Sequence, residues 1–167
     1  MSAAPLPPAV EHRVRVAQFV VATHGVISTI GLGSCVAIAM HDPSAGIGAL
    51  AHVLLPDPSM STDVTNPAKF AQTAVPAMVE ALRGRGAIPG RLQAKLAGGA
   101  SMFANLLATS GINVGERNVL AARDALRAAG IPLIAEDTGG DQGRSVLFRI
   151  ADGALEVRTL RRGTHVL

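Results

Sequence analysis

The single cysteine and one of the five histidines are the residues of this chain best suited to nucleophilic chemistry. Cys35 ends the run Gly31-Leu32-Gly33-Ser34-Cys35, in which glycines allow close backbone approach to a substrate and unusual φ values. Such a segment can aim backbone N–H groups at one point, as an oxyanion site requires. We therefore expect Gly33 and Ser34 to bind substrate beside Cys35.

The chemistry expected of Cys35 needs a base, and His52 is the candidate. A histidine beside a thiol can remove its proton and later protonate a leaving amine. An amide substrate would give a thioester and ammonia, and water would then release the acid. The histidine in turn needs an orienting acceptor, and the candidates close in sequence are Thr23, Ser28 and Thr29.

Cys35 and His52 lie on two apolar segments that the sequence predicts to form a β-hairpin over residues 34–55. The intervening His-Asp-Pro-Ser-Ala-Gly has the composition of a turn. With the turn centred between Pro43 and Ser44, Cys35 would pair directly with His52. Directly opposed residues have Cβ atoms about 4.5–5.5 Å apart. A bulge in the turn would change this register.

Other interpretations of these residues stay open at this point. A cysteine in an apolar strand is often a buried small hydrophobe, and a histidine there is often a satisfied core residue. Metal binding is disfavoured, because one cysteine and five scattered histidines have no zinc-like spacing. The histidines are His12, His24, His41, His52 and His165.

Length and composition favour one domain without cofactor, metal or disulfide. The 167 residues suffice for a single aliphatic core over residues 11–162, with a mobile tail at 1–10 and a C-terminal tail at 163–167. A free thiol, no secretory signal and no long apolar run favour the cytoplasm and exclude membrane insertion. The net charge of +3 comes from scattered arginines without interleaved aromatics, which argues against nucleic acid.

Hydrophobic patterning predicts more strands than helices, with at least two hairpins. This favours an α+β fold, an α/β sandwich in which helices pack on a largely antiparallel sheet. The predicted strands cover residues 14–21, the hairpin 34–55, 92–97, 131–135, 145–150 and 155–160. The predicted helices run from Asn66-Pro67 to about Leu82, kinked at Pro76, and over residues 116–129.

An ordered set of motifs over roughly residues 14–158 resembles the CheD family of chemoreceptor glutamine deamidases. Phe70 stands where the family usually has tyrosine. The matching segments are residues 29–38, Asp42-Pro43, residues 47–56, Lys69-Phe70, residues 94–100, Gly115-Glu116-Arg117-Asn118, residues 137–140 and residues 143–148.

This resemblance implies a specific enzyme. Family members convert receptor glutamines to glutamate, some hydrolyse receptor glutamyl methyl esters, and their fold is related to cytotoxic necrotizing factor. The family cysteine matches Cys35, its histidine matches His52, and the threonine that orients the histidine matches Thr29. The implied partners are the cytoplasmic helices of chemoreceptors and, in many relatives, the phosphatase CheC.

Two functions compete with protein deamidation. A non-catalytic adaptor for a CheC-like phosphatase or a receptor is one, although it would not need to retain Cys35, His52 and Thr29. A small-molecule amidase is the other, and it would require a deep enclosed pocket rather than an open groove. For Arg117-Asn118 we expect a role in fixing a helix start.

Overall fold

A computed structural model describes residues 10–101 and 113–167. In this part of the chain, ten strands form two five-stranded sheets accompanied by two α-helices. No described helix is long and apolar enough to cross a membrane. The strands are β1 (Glu11–Arg13), β2 (Gln18–Ala22), β3 (Val26–Leu32), β4 (Val36–Asp42), β5 (Ile47–Val53), β6 (Gln93–Gly98), β7 (Leu133–Thr138), β8 (Arg144–Arg149), β9 (Leu155–Thr159) and β10 (Gly163–Val166), and the helices are α1 (Ala71–Gly84) and α2 (Val114–Ala128).

The strands divide between a central sheet, in the order β2-β5-β4-β6-β7, and an outer sheet, in the order β1-β3-β8-β9-β10. The pairs β1–β3 and β6–β7 are parallel, and the other six pairings are antiparallel. The predicted α+β class with largely antiparallel pairing is therefore confirmed. The difference is that the strands form two sheets instead of one.

Strand β4 lies between two hydrophobic cores and contributes side chains to both. Successive side chains of a strand point to opposite faces of the sheet. Val36, Ile38 and Met40 pack with residues of α1 and α2, whereas Ala37 and Ala39 pack with the outer sheet. Every residue of β4 is therefore buried. The molecule has three layers: helices, central sheet and outer sheet.

The predicted hairpin is present as β4 and β5, but its predicted register is wrong by two residues. Asp42 pairs with Ile47, and His52 pairs with Ala37 rather than with Cys35. The loop holds four residues, and Gly46 closes it with φ of 65° and an N–H bond of 2.9 Å to the Asp42 carbonyl. Glycine takes this left-handed conformation without steric cost.

The side chain of Asp42 stabilises this longer loop. One carboxylate oxygen accepts from the Ser44 and Ala45 N–H groups, at 3.0 and 3.1 Å. The other accepts from the Ile88 N–H at 2.9 Å and from Arg91 at 3.1 Å. Burial alone would raise the pKa of Asp42, but these donors outweigh it and lower the pKa.

Asp42→Ala is expected to lower the free energy of unfolding by about 3 kcal/mol, because it removes a fully buried, multiply bonded carboxylate. Urea denaturation measures the loss. Asp152→Ala is the matched control, since Asp152 caps the β8–β9 turn through the Ala154 N–H but is exposed. Equal losses for the two variants would contradict the structural role given to Asp42.

Two predicted elements begin or break at other positions. Of the strand predicted over residues 14–21, only residues 18–21 lie in a strand, β2, because residues 14–17 form the connection from β1, in which Ala17 takes φ of 62°. The first helix begins at Ala71 because Asn66 caps only a short 3-10 turn and buried Phe70 is extended, bridged to Leu55. Pro76 lies inside α1 as predicted.

The later elements agree with prediction to within a few residues, including helix α2 and the β8–β9 hairpin. The C-terminal residues differ, because the segment predicted as a tail forms β10 and pairs with β9. The Leu167 N–H also bonds the Leu155 carbonyl at 2.9 Å. Of the predicted N-terminal tail, residues 1–9 lie outside the described residues.

Candidate active site

Thr29, Cys35 and His52 all face the core between the two sheets. His52 comes from β5 of the central sheet and Thr29 from β3 of the outer sheet. Cys35 directly precedes β4 and belongs to the same hydrophobic cluster as Ala37 and Ala39. The exposed fractions are 8% for Cys35, 3% for Thr29 and 0% for His52. Cys35 is therefore the most exposed of the three residues, although it is still buried.

The corrected register keeps Cys35 and His52 on one face of the central sheet. Ala37 is the direct partner of His52, and Cys35 lies two residues further along. A diagonal neighbour of this kind remains within reach of a long side chain. No hydrogen bond joins the Cys35 sulfur to His52 in the described residues, and His52 Nε2 is buried there without a partner.

The Thr29 hydroxyl fixes the protonation pattern of the His52 ring. It lies 2.7 Å from His52 Nδ1 and donates its proton to the Val14 carbonyl at 2.8 Å. A hydroxyl has one proton, so the Thr29 oxygen must accept from His52 Nδ1–H. In the neutral ring the proton then resides on Nδ1, and Nε2 carries the free lone pair.

Burial favours the uncharged forms of both Cys35 and His52. It lowers the pKa of His52 below its ordinary value and raises the pKa of the Cys35 thiol, an effect partly opposed by the Cys35 backbone N–H. Desolvation disfavours the charged form of each group. Both shifts favour a neutral thiol with a neutral imidazole over a thiolate–imidazolium pair.

The other two proposed orienting residues point elsewhere. Thr23 bonds its neighbour His24 at 3.3 Å, and Ser28 donates to Glu11 at 2.7 Å. Ser28 and Thr29 are adjacent on β3, so they face opposite sides of the outer sheet. Of the three, Thr29 is the residue that contacts His52.

Thr29→Val is expected to lower kcat by about 10- to 100-fold, because His52 loses the acceptor that fixes its tautomer. It should also cost about 1–3 kcal/mol of stability, since Nδ1–H and the Val14 carbonyl lose their partner. Thr29→Ser retains the hydroxyl and is the matched control. Steady-state kinetics with thermal melting measures both effects, and equal kcat values for the two variants would contradict the role.

The chain around Cys35 is held by backbone bonds to the end of β6. The Gly33 carbonyl accepts from Ala100 N–H and the Cys35 carbonyl from Gly99 N–H, both at 2.8 Å. Gly98 takes φ of 112°, and a side chain there would collide with the Cys35 carbonyl. Glycine is thus required at 98, because the backbone there lies close to residues 33–35, which we call the cysteine loop.

Two backbone donors beside the thiol remain available. In the described residues, neither the Ser34 nor the Cys35 N–H donates to another protein group outside the regular elements. Free N–H groups at a nucleophile are what a developing oxyanion requires. As for metals, the described residues contain no group of three or more His, Cys, Asp or Glu side chains placed to hold an ion.

Comparison with known proteins decides the family. The family described as CheD chemotactic sensory transduction matches residues 54–159. The Thermotoga maritima protein named chemoreceptor glutamine deamidase CheD is 51% identical over 142 residues, 85% of this chain and 87% of that protein. The chain belongs to the CheD family.

Two further relatives carry similar names. Probable chemoreceptor glutamine deamidase CheD 2 of Geobacter metallireducens is 53% identical, over 82% of this chain and 85% of its own. Probable chemoreceptor glutamine deamidase CheD of Caldanaerobacter subterraneus is 44% identical, over 86% of this chain and 88% of its own. A solved structure, Bacillus licheniformis hypothetical protein YfiH, is 16% identical with a TM-score of 0.48, over 72% of this chain and 49% of that one.

The matched CheD segment begins at residue 54, so it excludes Thr29, Cys35 and His52 but includes Asn118. Asn118 was expected to fix a helix start, but Asn113 caps α2 instead, accepting from the Glu116 N–H at 2.9 Å. The Asn118 amide donates to the carbonyls of Ser34 and Leu54. Its place in a motif shared with CheD relatives was the one sequence signal for this contact.

Proposed function

We propose that this chain deamidates glutamine side chains of chemoreceptors, with Cys35 as nucleophile, His52 as base and Thr29 as the residue that orients the base. The observation that carries the proposal is the Nε2 of His52, which is buried without a partner in the part of the chain that the structure describes. It belongs to a ring whose Nδ1 is held by Thr29, on the sheet face that also carries the one cysteine.

The reaction follows from the neutral state of the two groups. His52 Nε2 takes the thiol proton as the Cys35 sulfur attacks the glutamine amide carbon. The resulting tetrahedral oxyanion collapses as imidazolium protonates the departing nitrogen, which releases ammonia and leaves a thioester. Water, deprotonated by His52, then attacks the thioester, which releases the glutamate product and regenerates the free thiol.

The oxyanion formed in both steps needs donors, and we assign the Cys35 N–H as one of them. It is unpartnered in the described residues and lies close enough to its own sulfur to lower the thiol pKa. The Gly33–Ser34 segment supports the substrate beside it, and the Ser34 N–H likewise has no backbone acceptor among residues 10–101 and 113–167. This retains the substrate-binding role predicted for Gly33 and Ser34.

The names of the relatives supply the substrate class. Proteins that are 44–53% identical are named chemoreceptor glutamine deamidases, so we propose the cytoplasmic helices of chemoreceptors as substrate. A cytoplasmic location agrees with the free thiol of Cys35. Receptor glutamyl methyl esters are a second substrate class, because the same acyl transfer applies to them. Binding of a CheC-like phosphatase stays a prediction.

Mass spectrometry tests the proposal directly. A purified receptor cytoplasmic fragment incubated with this protein should gain about one mass unit at particular glutamines, with ammonia released in equal amount. Peptide mapping then identifies the modified positions. A fragment with unchanged mass after prolonged incubation with a folded enzyme would overturn the proposed function.

A further inference from the structure

The buried side chain of Asn118 links the two segments that carry the reacting residues. Its amide nitrogen donates to the Ser34 carbonyl at 2.8 Å and to the Leu54 carbonyl at 3.0 Å. Ser34 directly precedes Cys35, and Leu54 follows His52 by two residues. The side chain is 0% exposed, so these bonds form away from water.

The bond to the Ser34 carbonyl has a consequence for the neighbouring N–H group. The Ser34–Cys35 peptide is planar and trans, so its carbonyl and its N–H point in opposite directions. Holding the carbonyl towards α2 therefore turns the Cys35 N–H away from α2. A flip of this peptide would replace the donor with a carbonyl oxygen at the same place.

In the cysteine loop, the Ser34 carbonyl is the one whose orientation is held by Asn118. The carbonyls on either side are already held by backbone donors, Gly33 by Ala100 and Cys35 by Gly99. The Ser34 carbonyl is held by a side chain instead. The Cys35 N–H has no partner of its own among the described residues that would keep the peptide in place.

Helix α2 is fixed closely enough to the loop to supply this bond. A side chain at Gly115 would lie 2.7 Å from the Gly99 carbonyl, so the first turn of α2 touches the residues that follow β6. Among uncharged side chains, only an amide can donate two hydrogens from one atom to two carbonyls. In the isosteric aspartate, carboxylate oxygens would face the Ser34 and Leu54 carbonyl oxygens, and no hydrogen bond could form between these acceptors.

We propose that Asn118 is a positioning residue that sets the Ser34–Cys35 peptide so that the Cys35 N–H faces the oxyanion of the bound substrate. This rests on the proposed cysteine mechanism. Asn118 does not touch the substrate. It acts through the peptide and also ties the loop to the end of β5.

Asn118→Asp is the first test, and Asn118→Ser is the second should the buried carboxyl prevent folding. We expect kcat for deamidation of a receptor fragment to fall by about 10- to 100-fold with KM within about threefold of wild type, because an oxyanion exists only along the reaction path. Alkylation of Cys35 by iodoacetamide forms no oxyanion. Its plateau rate at high pH, where the thiol is fully ionised, should therefore stay near the wild-type value, whereas the thiol pKa should rise because the Cys35 N–H no longer faces its own sulfur.

Asn113→Ala is the matched control, since it weakens the same helix at its cap without contacting the cysteine loop. It should lower the melting temperature while leaving kcat near wild type. The inference is overturned if Asn118→Asp keeps wild-type kcat. It is equally overturned if the plateau rate of alkylation at high pH falls in parallel with kcat, which would indicate general collapse of the site. A wild-type protein without deamidase activity would instead overturn the proposed function, and this inference with it.

Discussion

Cys35→Ala is expected to reduce receptor deamidation by on the order of 10⁴-fold or more, because the chain has no second thiol to form the thioester. The fold should survive the change. Cys35 is 8% exposed, and removing one sulfur atom from a site at the edge of the core costs about 1 kcal/mol. Ammonia release and receptor mass, measured on the same samples, report the loss of activity.

The control for this variant is a fold measurement on the same preparation. A melting temperature close to wild type would assign the loss to chemistry. Cys35→Ser tests the nucleophile more closely, since it retains a hydroxyl of similar size that a histidine alone activates poorly. Wild-type turnover in either variant would exclude a covalent mechanism through Cys35.

His52→Gln is the second change with a large expected effect, again on the order of 10⁴-fold in kcat, because His52 is the base proposed to take the thiol proton. Glutamine fills much of the space of the buried ring and offers no base. Cys35 and His52 act as one unit, so the double variant should be little worse than either single variant. Additive losses would indicate that they act independently.

The pH dependence of wild-type kcat/KM should distinguish a neutral pair from an ion pair. Burial lowers the pKa of His52 below its ordinary 6.5, so the ring stays unprotonated to lower pH than a typical histidine. Activity should fall only as the pH drops through that lowered pKa, where the base becomes protonated. Because burial raises the thiol pKa, alkylation of Cys35 should accelerate only in the alkaline range.

An alkylation rate that is already at its plateau near neutral pH would contradict this account, because it would require a thiolate stabilised by imidazolium. The single cysteine makes the measurement unambiguous, since all incorporated label reports on Cys35. His52→Gln provides the control. It should remove the acid limb of the kcat/KM profile from whatever turnover remains.

The sequence predicted the hairpin that carries the candidate site but not its register. Turn residues and apolar flanks mark β4 and β5 locally. The loop length, however, depends on the buried Asp42 carboxylate, which bonds Ile88 and Arg91 far along the chain. Local pattern carries no information on such distant donors. The predicted face was retained because an error of two residues preserves the alternation of a strand.

The contact of Thr29 with His52 was expected from chemistry and from resemblance, whereas the roles of both residues stay predictions. Asn118 was misinterpreted because asparagine near a helix start is usually a cap. Its actual contacts, with Ser34 and Leu54, join three segments distant in sequence. The division into two sheets was missed for a similar reason, since strand patterns do not specify which sheet a strand enters.

The position of β4 also has a consequence for dynamics. It is hydrogen-bonded to β5 on one side and β6 on the other, and every one of its residues is buried. Amide hydrogens in such a strand exchange with solvent only when the whole domain opens. The proposed nucleophile thus directly precedes a strand that we expect to be among the slowest to exchange in the part of the chain that the structure describes. On the proposed mechanism, we therefore expect the conformational adjustment that brings a glutamine to the sulfur to come from the receptor helix.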